Sequence, residues 1–191
     1  CANRIRQMRD KTVAIVTEGV KTGTSRNTGS DKQTYYKLGL GGDSADSVRN
    51  MANDLFAGGS VDGDTALCEA AGSARAFLRL NDLGVPFPTN KYGEFIGYQT
   101  DHDTRTRATS CGPLTSKYMT EALERSVFAK KIQVFDGYRV IKILSENGKV
   151  TGVVFKKCVS VTDAEGRFAP QYDENDTLTV ACKHVIFSVG Q

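Results

Sequence analysis

The pattern of apolar and polar residues predicts a helix and then a buried strand at the start of the chain. Apolar residues recur at helical spacing over residues 1–10, and basic residues crowd the end of that stretch, as in the last turns of a helix. Residues 12–17 are apolar and β-branched, and the run is short enough for a buried strand. Glu18 and Gly19 follow, and a loop rich in Gly, Ser, Thr and Asn then extends to Ser30. We therefore expect the chain to start inside a βαβ unit whose Gly-rich turn lies upstream of the first residue.

Longer helices are predicted further along the chain. One begins near Ser44, whose side chain is a favourable N-cap, and a Gly-Gly pair ends it. A second covers about 63–83 and a third about 113–129, each with an apolar stripe at helical spacing. The residues expected to face inward in the second of these helices are Leu67, Ala70, Ala71, Ala74, Phe77 and Leu78.

The second half of the chain is predicted to be mostly β. Asn147 and Gly148 favour the positive φ angles of a tight hairpin turn, whereas the polar stretch 163–176 is predicted to be a loop. Predicted strands lie at residues 93–100, 132–135, 138–144, 150–160, 178–182 and 184–189. Together the elements predict the α/β class, or α+β for this stretch taken by itself, with helices packed on a mixed sheet and a β-hairpin subdomain.

Composition and charge narrow the class of protein. In a chain of 191 residues, 39% hydrophobic and 25% charged residues are ordinary for a soluble globular domain. A net charge of +3 with scattered basic residues does not indicate nucleic-acid binding, and no apolar run approaches the length of a membrane span. Five cysteines without Cys-x-x-Cys spacing are expected to be reduced thiols of a cytoplasmic protein, and the presence of only two histidines argues against a zinc site.

A carboxylate at the end of a strand is one way to hold a dinucleotide. Glu18 is placed to accept hydrogen bonds from a ribose diol, and the small residues after Gly19 let backbone N–H groups approach phosphate or a flat ring. By themselves these residues also fit an ordinary strand end, so both interpretations stay open at this point.

Two motifs and the order of the elements carry a family resemblance. The motifs are Leu-x-x-Leu-Gly-Val-Pro-Phe over residues 80–87 and the strand–turn–strand pattern of residues 138–154. With the strand-Glu-Gly segment before them, they resemble the flavoprotein subunits of the succinate dehydrogenase and fumarate reductase superfamily and related FAD-dependent reductases. The resemblance implies an incomplete Rossmann-like FAD-binding domain over residues 1–191 that lacks its Gly-rich turn, its capping domain and its C-terminal part.

The resemblance also implies which residues contact the cofactor. Glu18 would hold the adenosine ribose, residues 25–30 would run along the pyrophosphate and the flavin, and Val140 would offer backbone groups to the adenine. The chain would return to the cofactor at residues 188–190. The implied cofactor-binding residues are Glu18, Gly19, Ser25, Asn27, Thr28, Gly29, Ser30, Val140 and Gly190.

The sequence departs from the succinate dehydrogenase branch at two places. That branch carries Ser-His-Thr, whose histidine bonds covalently to the flavin, where this chain has Ser25-Arg26-Asn27, so FAD is expected to be noncovalent. A histidine that contacts a dicarboxylate in that branch is also absent from the matching residues 111–115. A reductase of another activated alkene, or an oxidoreductase of a different substrate class, therefore fits as well as a fumarate reductase.

Candidates for substrate contact lie in the most polar loop, residues 100–109. They are His102, Arg105 and Arg107, because the planar fork of arginine can bind both oxygens of a carboxylate. The alternative is that these residues form a solvated surface loop. The resemblance places the family's catalytic residues beyond Gln191, so no catalytic residue is assigned.

The sequence thus predicts part of an FAD-dependent oxidoreductase that passes hydride between the flavin and an organic substrate. The chain by itself is expected to be inactive and not to retain FAD. Expected partners are a small-molecule substrate and an electron-transfer subunit, through which the cytoplasmic protein would associate with a membrane. Two alternatives are a non-redox α+β module that binds a ligand or partner, and a nicotinamide-dependent enzyme that uses the same strand-end carboxylate.

Overall fold

The structure is a computed structural model that describes residues 1–9, 11–42, 45–101, 103 and 105–188. The chain divides into two compact units. The split unit consists of residues 1–24 together with residues from 127 onward, and the central unit consists of residues 25–126.

The chain combines helices and strands, as expected for the α/β class: they are interspersed up to the last described helix, and four consecutive strands follow. The helices are α1 (Ala2–Met8), α2 (Thr24–Asn27), α3 (Val48–Ala57), α4 (Gly63–Asp82) and α5 (Thr115–Ala129). The strands are β1 (Ala14–Thr17), β2 (Tyr35–Tyr36), β3 (Ala108–Thr109), β4 (Gln133–Asp136), β5 (Tyr138–Glu146), β6 (Lys149–Thr162) and β7 (Phe168–Ala181).

The split unit contains a parallel strand pair and an antiparallel sheet. Strand β1 pairs in parallel with β4, from Ala14 opposite Gln133 to Thr17 opposite Asp136. Strands β5, β6 and β7 form an antiparallel sheet in that order. The turn between β5 and β6 places Asn147 and Gly148 at φ angles of 49° and 72°, which confirms the predicted hairpin turn.

The central unit is built on the helix pair α3 and α4. The Ser47 hydroxyl accepts a hydrogen bond from the Asn50 N–H at 3.1 Å, and the Asp62 carboxylate accepts one from the Thr65 N–H at 3.0 Å. These side chains satisfy N–H groups that a helix start would otherwise leave unpaired. Helix α3 therefore begins after Ser47, and the predicted N-cap, Ser44, lies outside the described residues.

An aromatic core holds the central unit together. The Phe77 ring lies 4.6 Å from that of Phe87 and 4.9 Å from that of Phe95, measured between centroids. Leu80, Val85 and Phe87 are buried in the same cluster, so the motif of residues 80–87 contributes directly to this core. Burial of side chains of this size contributes roughly 1.5–3 kcal/mol each.

The buried face of α4 differs from the predicted one. Leu67 and Leu78 are 48% and 43% exposed, and Ala71 is exposed too, so the prediction that these three residues face inward is wrong. Where this face meets α3, its side chains are small: Ala66 and Ala70 lie in one buried cluster with Met51 and Ala52 of α3. The residues of α4 that are buried are Ala66, Ala70, Ser73, Phe77 and Leu80.

Three strand predictions also need correction. Strand β7 runs through much of the polar stretch 163–176, where a loop was predicted, because most of its side chains are exposed at the sheet edge and can be polar. Residues 184–188 are not a strand, and residues 93–100 contribute a single bridge, between Tyr98 and Ala108.

The structure also bears on the cysteines, metals and membranes. All five cysteines are free thiols. Among the residues that the structure describes, none of the helices is long and apolar enough to cross a membrane. In the same residues, no group of three or more His, Cys, Asp or Glu side chains is arranged to hold a metal ion.

Gly97→Ala should destabilise the central unit, whereas Gly72→Ala should stabilise it. A Cβ atom on Gly97 would lie 2.2 Å from the Thr106 carbonyl oxygen and 2.6 Å from the Ala108 carbonyl oxygen. The backbone would have to separate, at an expected cost of about 2 kcal/mol or more. A Cβ atom on Gly72, in the middle of α4, would have no neighbour within 4 Å. Alanine there should add about 0.5–1 kcal/mol through helix propensity.

Urea unfolding of both variants, followed by circular dichroism, measures the two effects. Equal stability of the two variants would contradict the close approach of the Gly97 backbone to residues 106–108.

Candidate functional site

Glu18 lies at the carboxyl end of β1, next to the end of the parallel strand β4. The carboxyl ends of parallel strands form the edge at which ligands bind in α/β folds. Asp136, the last residue of β4, accepts a hydrogen bond from the Val20 N–H at 2.9 Å. This bond holds the chain directly after Glu18 against the end of the neighbouring strand.

Gly19 allows a tight turn after Glu18. The Thr22 N–H and hydroxyl donate to the Gly19 carbonyl oxygen at 3.2 and 2.7 Å. A Cβ atom on Gly19 would lie only 2.6 Å from the Thr22 Cγ2 atom. A larger residue at position 19 would therefore displace Thr22 from this turn.

The Glu18 carboxylate accepts a hydrogen bond from Tyr172, a residue of β7. The Tyr172 hydroxyl donates to Glu18 Oε1, and Arg139 Nη1 donates to the Tyr172 hydroxyl oxygen at 2.9 Å. The Arg139 guanidinium also lies 5.3 Å from the Tyr172 ring centroid, with its Nε atom 3.8 Å from Glu18 Oε1. Burial, and then the contact with Glu18, raise the pKa of Tyr172, so at neutral pH its hydroxyl is protonated and donates.

Val140 lies beside a cavity in the same unit. The pairing of β5 with β6 passes from Val140 to Lys142 with a register shift, and Ile141 has no partner in the ladder. Such bulges expose backbone groups and often lie next to binding sites. The cavity has a volume of about 330 Å³. Its lining residues are Arg139, Val140, Ile141, Lys156 and Tyr172.

The other predicted cofactor loop belongs to the central unit and packs against the start of α5. Ser30 donates its backbone N–H to the Pro113 carbonyl oxygen at 3.0 Å. A Cβ atom on Gly29 would approach the same oxygen to 3.0 Å, so glycine suits this close approach. The predicted contacts Ser25, Asn27, Thr28, Gly29 and Ser30 are all exposed.

Arg26 points from this loop to α5. Its guanidinium forms ion pairs with Glu124 and, at 3.5 Å, with Glu121. Its side chain is only 12% exposed. Arg26 therefore fixes the loop to the helix.

A buried hydroxyl also lies beside this loop. The Ser116 N–H donates to the Gln33 side-chain carbonyl oxygen at 2.9 Å. The Ser116 hydroxyl oxygen is buried and, within the part of the chain that the structure describes, has no hydrogen-bond partner. A buried polar atom of this kind is usually completed by water or a ligand.

Arg107 is fully buried, and its donors are taken by protein groups. Its Nε and Nη2 atoms donate to the two carboxylate oxygens of Asp46 at 2.8 and 2.9 Å. Its Nη1 atom donates to Asp54 at 2.7 Å and to the Tyr36 hydroxyl at 3.0 Å. The structure therefore supports a role for Arg107 in holding the protein together and does not support direct contact with a substrate.

The environment of Arg107 shifts the pKa values of its neighbours. Burial, followed by the hydrogen bond to Asp103, raises the pKa of Tyr36 to about 12. Burial alone would raise the pKa of Asp46, but hydrogen bonds from Arg107 and from the Gly39 and Ser47 N–H groups outweigh it and lower that pKa to about 2.

The remaining substrate candidates differ in what the structure says of them. Arg105 donates to the Ala45 carbonyl oxygen and lies 3.7 Å from Asp46, with its side chain 29% exposed. It is thus more accessible than Arg107 but already has protein partners. His102 and the cofactor candidate Gly190 lie outside the described residues.

Sequence reasoning missed Tyr172, Arg139 and Asp136. Asp136 had a signal, because it follows the predicted strand 132–135 as Glu18 follows the predicted strand 12–17. Tyr172 lies in the stretch that was predicted to be a loop, so nothing in the sequence pattern placed it next to Glu18.

Comparison with known proteins gives one family and several related folds. A family model described as an FAD binding domain matches residues 1–187. No curated protein matches the sequence significantly.

Solved structures with a similar fold include a point mutant of the FrdA chain of E. coli quinol fumarate reductase. That likeness has a TM-score of 0.66 and 18% identity over 80% of this chain and 26% of FrdA. For Mycobacterium smegmatis Sdh1, the TM-score is 0.70 and the sequence identity is 16%, over 82% of this chain and 28% of Sdh1. For a 3-ketosteroid-delta4-(5alpha)-dehydrogenase from Rhodococcus jostii, the TM-score is 0.54 and the sequence identity is 16%. This match covers 76% of this chain and 37% of the dehydrogenase. The chain thus shares their fold while spanning only 26–37% of their length.

The polar groups at these places suit FAD. Glu18 already accepts a hydrogen bond from a hydroxyl group, which is the type of donor that a ribose offers. The cavity beside Val140 is lined by an aromatic ring and two cationic side chains, which suit a purine base near phosphate. The unpartnered Ser116 hydroxyl provides a further polar group beside the exposed loop of the central unit.

The pKa of Asp46 predicts that the protein loses stability in acid. Because the carboxyl has its ordinary pKa of 3.8 when unfolded and about 2 when folded, its contribution is present above pH 4 and is lost as pH falls through 2. The expected loss is about 2 kcal/mol. Asp46→Asn should remove this pH dependence and should also lower stability at neutral pH, since Arg107 loses its main partner.

Urea unfolding between pH 2 and pH 7 provides the measurement. Asp54→Asn is the matched control, because Asp54 is 52% exposed and its removal should cost less than about 1 kcal/mol at neutral pH. An Asp46→Asn variant as stable as the parent at neutral pH would contradict the central role of this ion pair.

Proposed function

Because the chain belongs to the family of FAD-binding domains, we propose that it is part of a flavoprotein oxidoreductase of the fumarate reductase type. The complete protein that contains this chain would pass hydride between its flavin and an organic substrate. The observation that carries the proposal is the family match over residues 1–187, which includes every described residue of the candidate site except Ser188. The same match favours this function over a non-redox binding module or a nicotinamide-dependent enzyme.

In the split unit, the chain holds the adenosine end of FAD. The Glu18 carboxylate accepts hydrogen bonds from the ribose hydroxyls, and Gly19 gives the turn that lets the backbone pass close to the cofactor. Backbone groups at Val140 bind the adenine, where the bulge frees them from the ladder. Gly190 remains a predicted cofactor contact and lies outside the described residues.

In the central unit, the exposed loop holds the pyrophosphate and the flavin. Backbone N–H groups and small side chains of Ser25, Asn27, Thr28, Gly29 and Ser30 make these contacts. Bound FAD supplies the hydride chemistry, and the protein supplies placement and electrostatics.

FAD is held without a covalent bond. The histidyl linkage of the related branch needs an imidazole nitrogen, and this chain has Arg26 at that place. The Arg26 guanidinium is committed to Glu121 and Glu124, so it stabilises the loop rather than the flavin.

The substrate is a small organic molecule. The sequence fits an activated alkene other than fumarate, and it fits a substrate of a different chemical class equally well. Arg105 and His102 remain the candidates for its contact, since the donors of Arg107 are taken within the protein. An electron-transfer subunit completes the proposed reaction by supplying or accepting electrons.

The absorbance spectrum tests the cofactor assignment. The complete protein that contains this chain should show flavin bands, either as purified or after reconstitution with FAD. After denaturation and removal of the precipitate, the bands should be in the supernatant, because the cofactor is noncovalent. Flavin in the precipitate would contradict the role given to Arg26, and no flavin even after reconstitution would contradict the proposed function.

Glu18→Gln should weaken FAD binding by about tenfold or more. Hydrogen bonds to a charged acceptor contribute roughly 1.5–3 kcal/mol, and glutamine keeps the size of the side chain but not its charge. Quenching of flavin fluorescence on titration of the apoprotein measures the Kd. Glu146→Gln, at an exposed site before the β5–β6 turn, is the matched control and should leave the Kd unchanged. Equal Kd values for the two variants would remove Glu18 from the site.

A further inference from the structure

We propose that Tyr172 is a gate on the adenosine half of the site, and that its hydroxyl must leave Glu18 before a ribose can bind. The inference rests on the proposed FAD function and adds a residue that the family resemblance does not assign. It follows from the position of one phenol hydroxyl on the carboxylate that FAD would need.

The gate is a competition between two donors for one acceptor. The Tyr172 hydroxyl donates to Glu18 Oε1. A ribose diol that binds a carboxylate through both of its hydroxyls engages both carboxylate oxygens, so it needs Oε1 as well. Oε1 has a second lone pair, so the competition is for the space beside this oxygen: the Tyr172 hydroxyl and ring occupy the approach that a ribose would need.

Arg139 holds the gate closed. It donates to the Tyr172 hydroxyl oxygen at 2.9 Å, and its guanidinium packs 5.3 Å from the centroid of the same ring. Its Nε atom is 3.8 Å from Glu18 Oε1, so Arg139 remains beside the carboxylate when Tyr172 leaves. Opening therefore does not leave the Glu18 charge without a cation nearby.

The surroundings of Tyr172 allow such a movement. Tyr172 pairs with Cys158 between register shifts on both sides of that pair, so the ladder is irregular where the residue lies. The side chain is partly exposed and lines the cavity of about 330 Å³ next to Val140. After release, the ring can thus move within the cavity wall, where an aromatic face can pack against a purine.

Tyr172→Phe tests the gate, because it removes the hydroxyl and keeps the ring. The Kd of the complete apoprotein for FAD should fall by about tenfold, since the ribose no longer displaces a hydrogen bond to a carboxylate. A gain in affinity is a readout that loss of a merely structural contact would not give. Tyr92→Phe is the control, as Tyr92 is 76% exposed and belongs to the central unit.

ADP and FMN locate the effect. ADP contains the adenosine ribose without the flavin, so its Kd should fall by the same factor as that of FAD. FMN lacks adenosine, so Tyr172→Phe should not change any binding of FMN. If the unsubstituted protein binds FAD and Tyr172→Phe binds it equally well or more weakly, the gate is overturned and the proposed function stays intact. A parent protein that binds neither FAD nor ADP would overturn both.

Discussion

The arrangement of the central unit depends on the need to neutralise one buried guanidinium. An unpaired charge in a protein interior is very costly, so Arg107 can be fully buried only where carboxylates meet it with good geometry. Asp46 supplies both oxygens of one carboxylate, and Asp54 and Tyr36 complete the set. These partners come from the segment before α3, from α3 itself and from β2. The Arg107 side chain thus fixes these three parts of the chain relative to the polar loop of residues 100–109. Strand β3 begins directly after Arg107.

The charged groups around Arg107 and those around Glu18 differ in their access to a ligand. This difference indicates a structural role for Arg107 and a binding role for Glu18. Arg107 is enclosed, and four of its N–H groups donate to protein acceptors, so little is left for a ligand. Glu18 is partly exposed at a strand end, and its one described side-chain hydrogen bond comes from a neutral hydroxyl that a ligand can replace. A polar group that is satisfied by an exchangeable partner is suited to binding, because the free protein does not leave a buried charge unpaired.

The sequence predicted the elements whose signals are local and missed those set by tertiary contacts. The helix start at Asp62, the hairpin turn at Asn147 and the acid at the end of β1 each depend on a few neighbouring residues. The buried face of α4 could not be predicted from hydrophobicity, because close packing against α3 selects small residues such as Ala66 and Ser73 over the more apolar Leu67. The first part of strand β7, before residue 178, was missed because an edge strand needs few apolar residues, and Tyr172 was missed with it. The burial of Arg107 could not be predicted from the sequence either, because its partners lie 53 to 71 residues away along the chain.

Arg26 shows how a departure from a family pattern acquires a physical meaning only in the fold. In the sequence, it indicates no more than the absence of a covalent histidine. In the structure, its ion pairs with Glu121 and Glu124 are largely buried, and they hold the loop of residues 25–30 against α5. A loop that was tied to its cofactor by a covalent bond would need less fixing by the protein. In the noncovalent complex proposed above, a loop that is ordered before the ligand arrives spares binding the entropy cost of ordering it. The Arg26 ion pairs, the Ser30–Pro113 hydrogen bond and the close approach at Gly29 together provide that order, and they leave the outward side of the loop exposed.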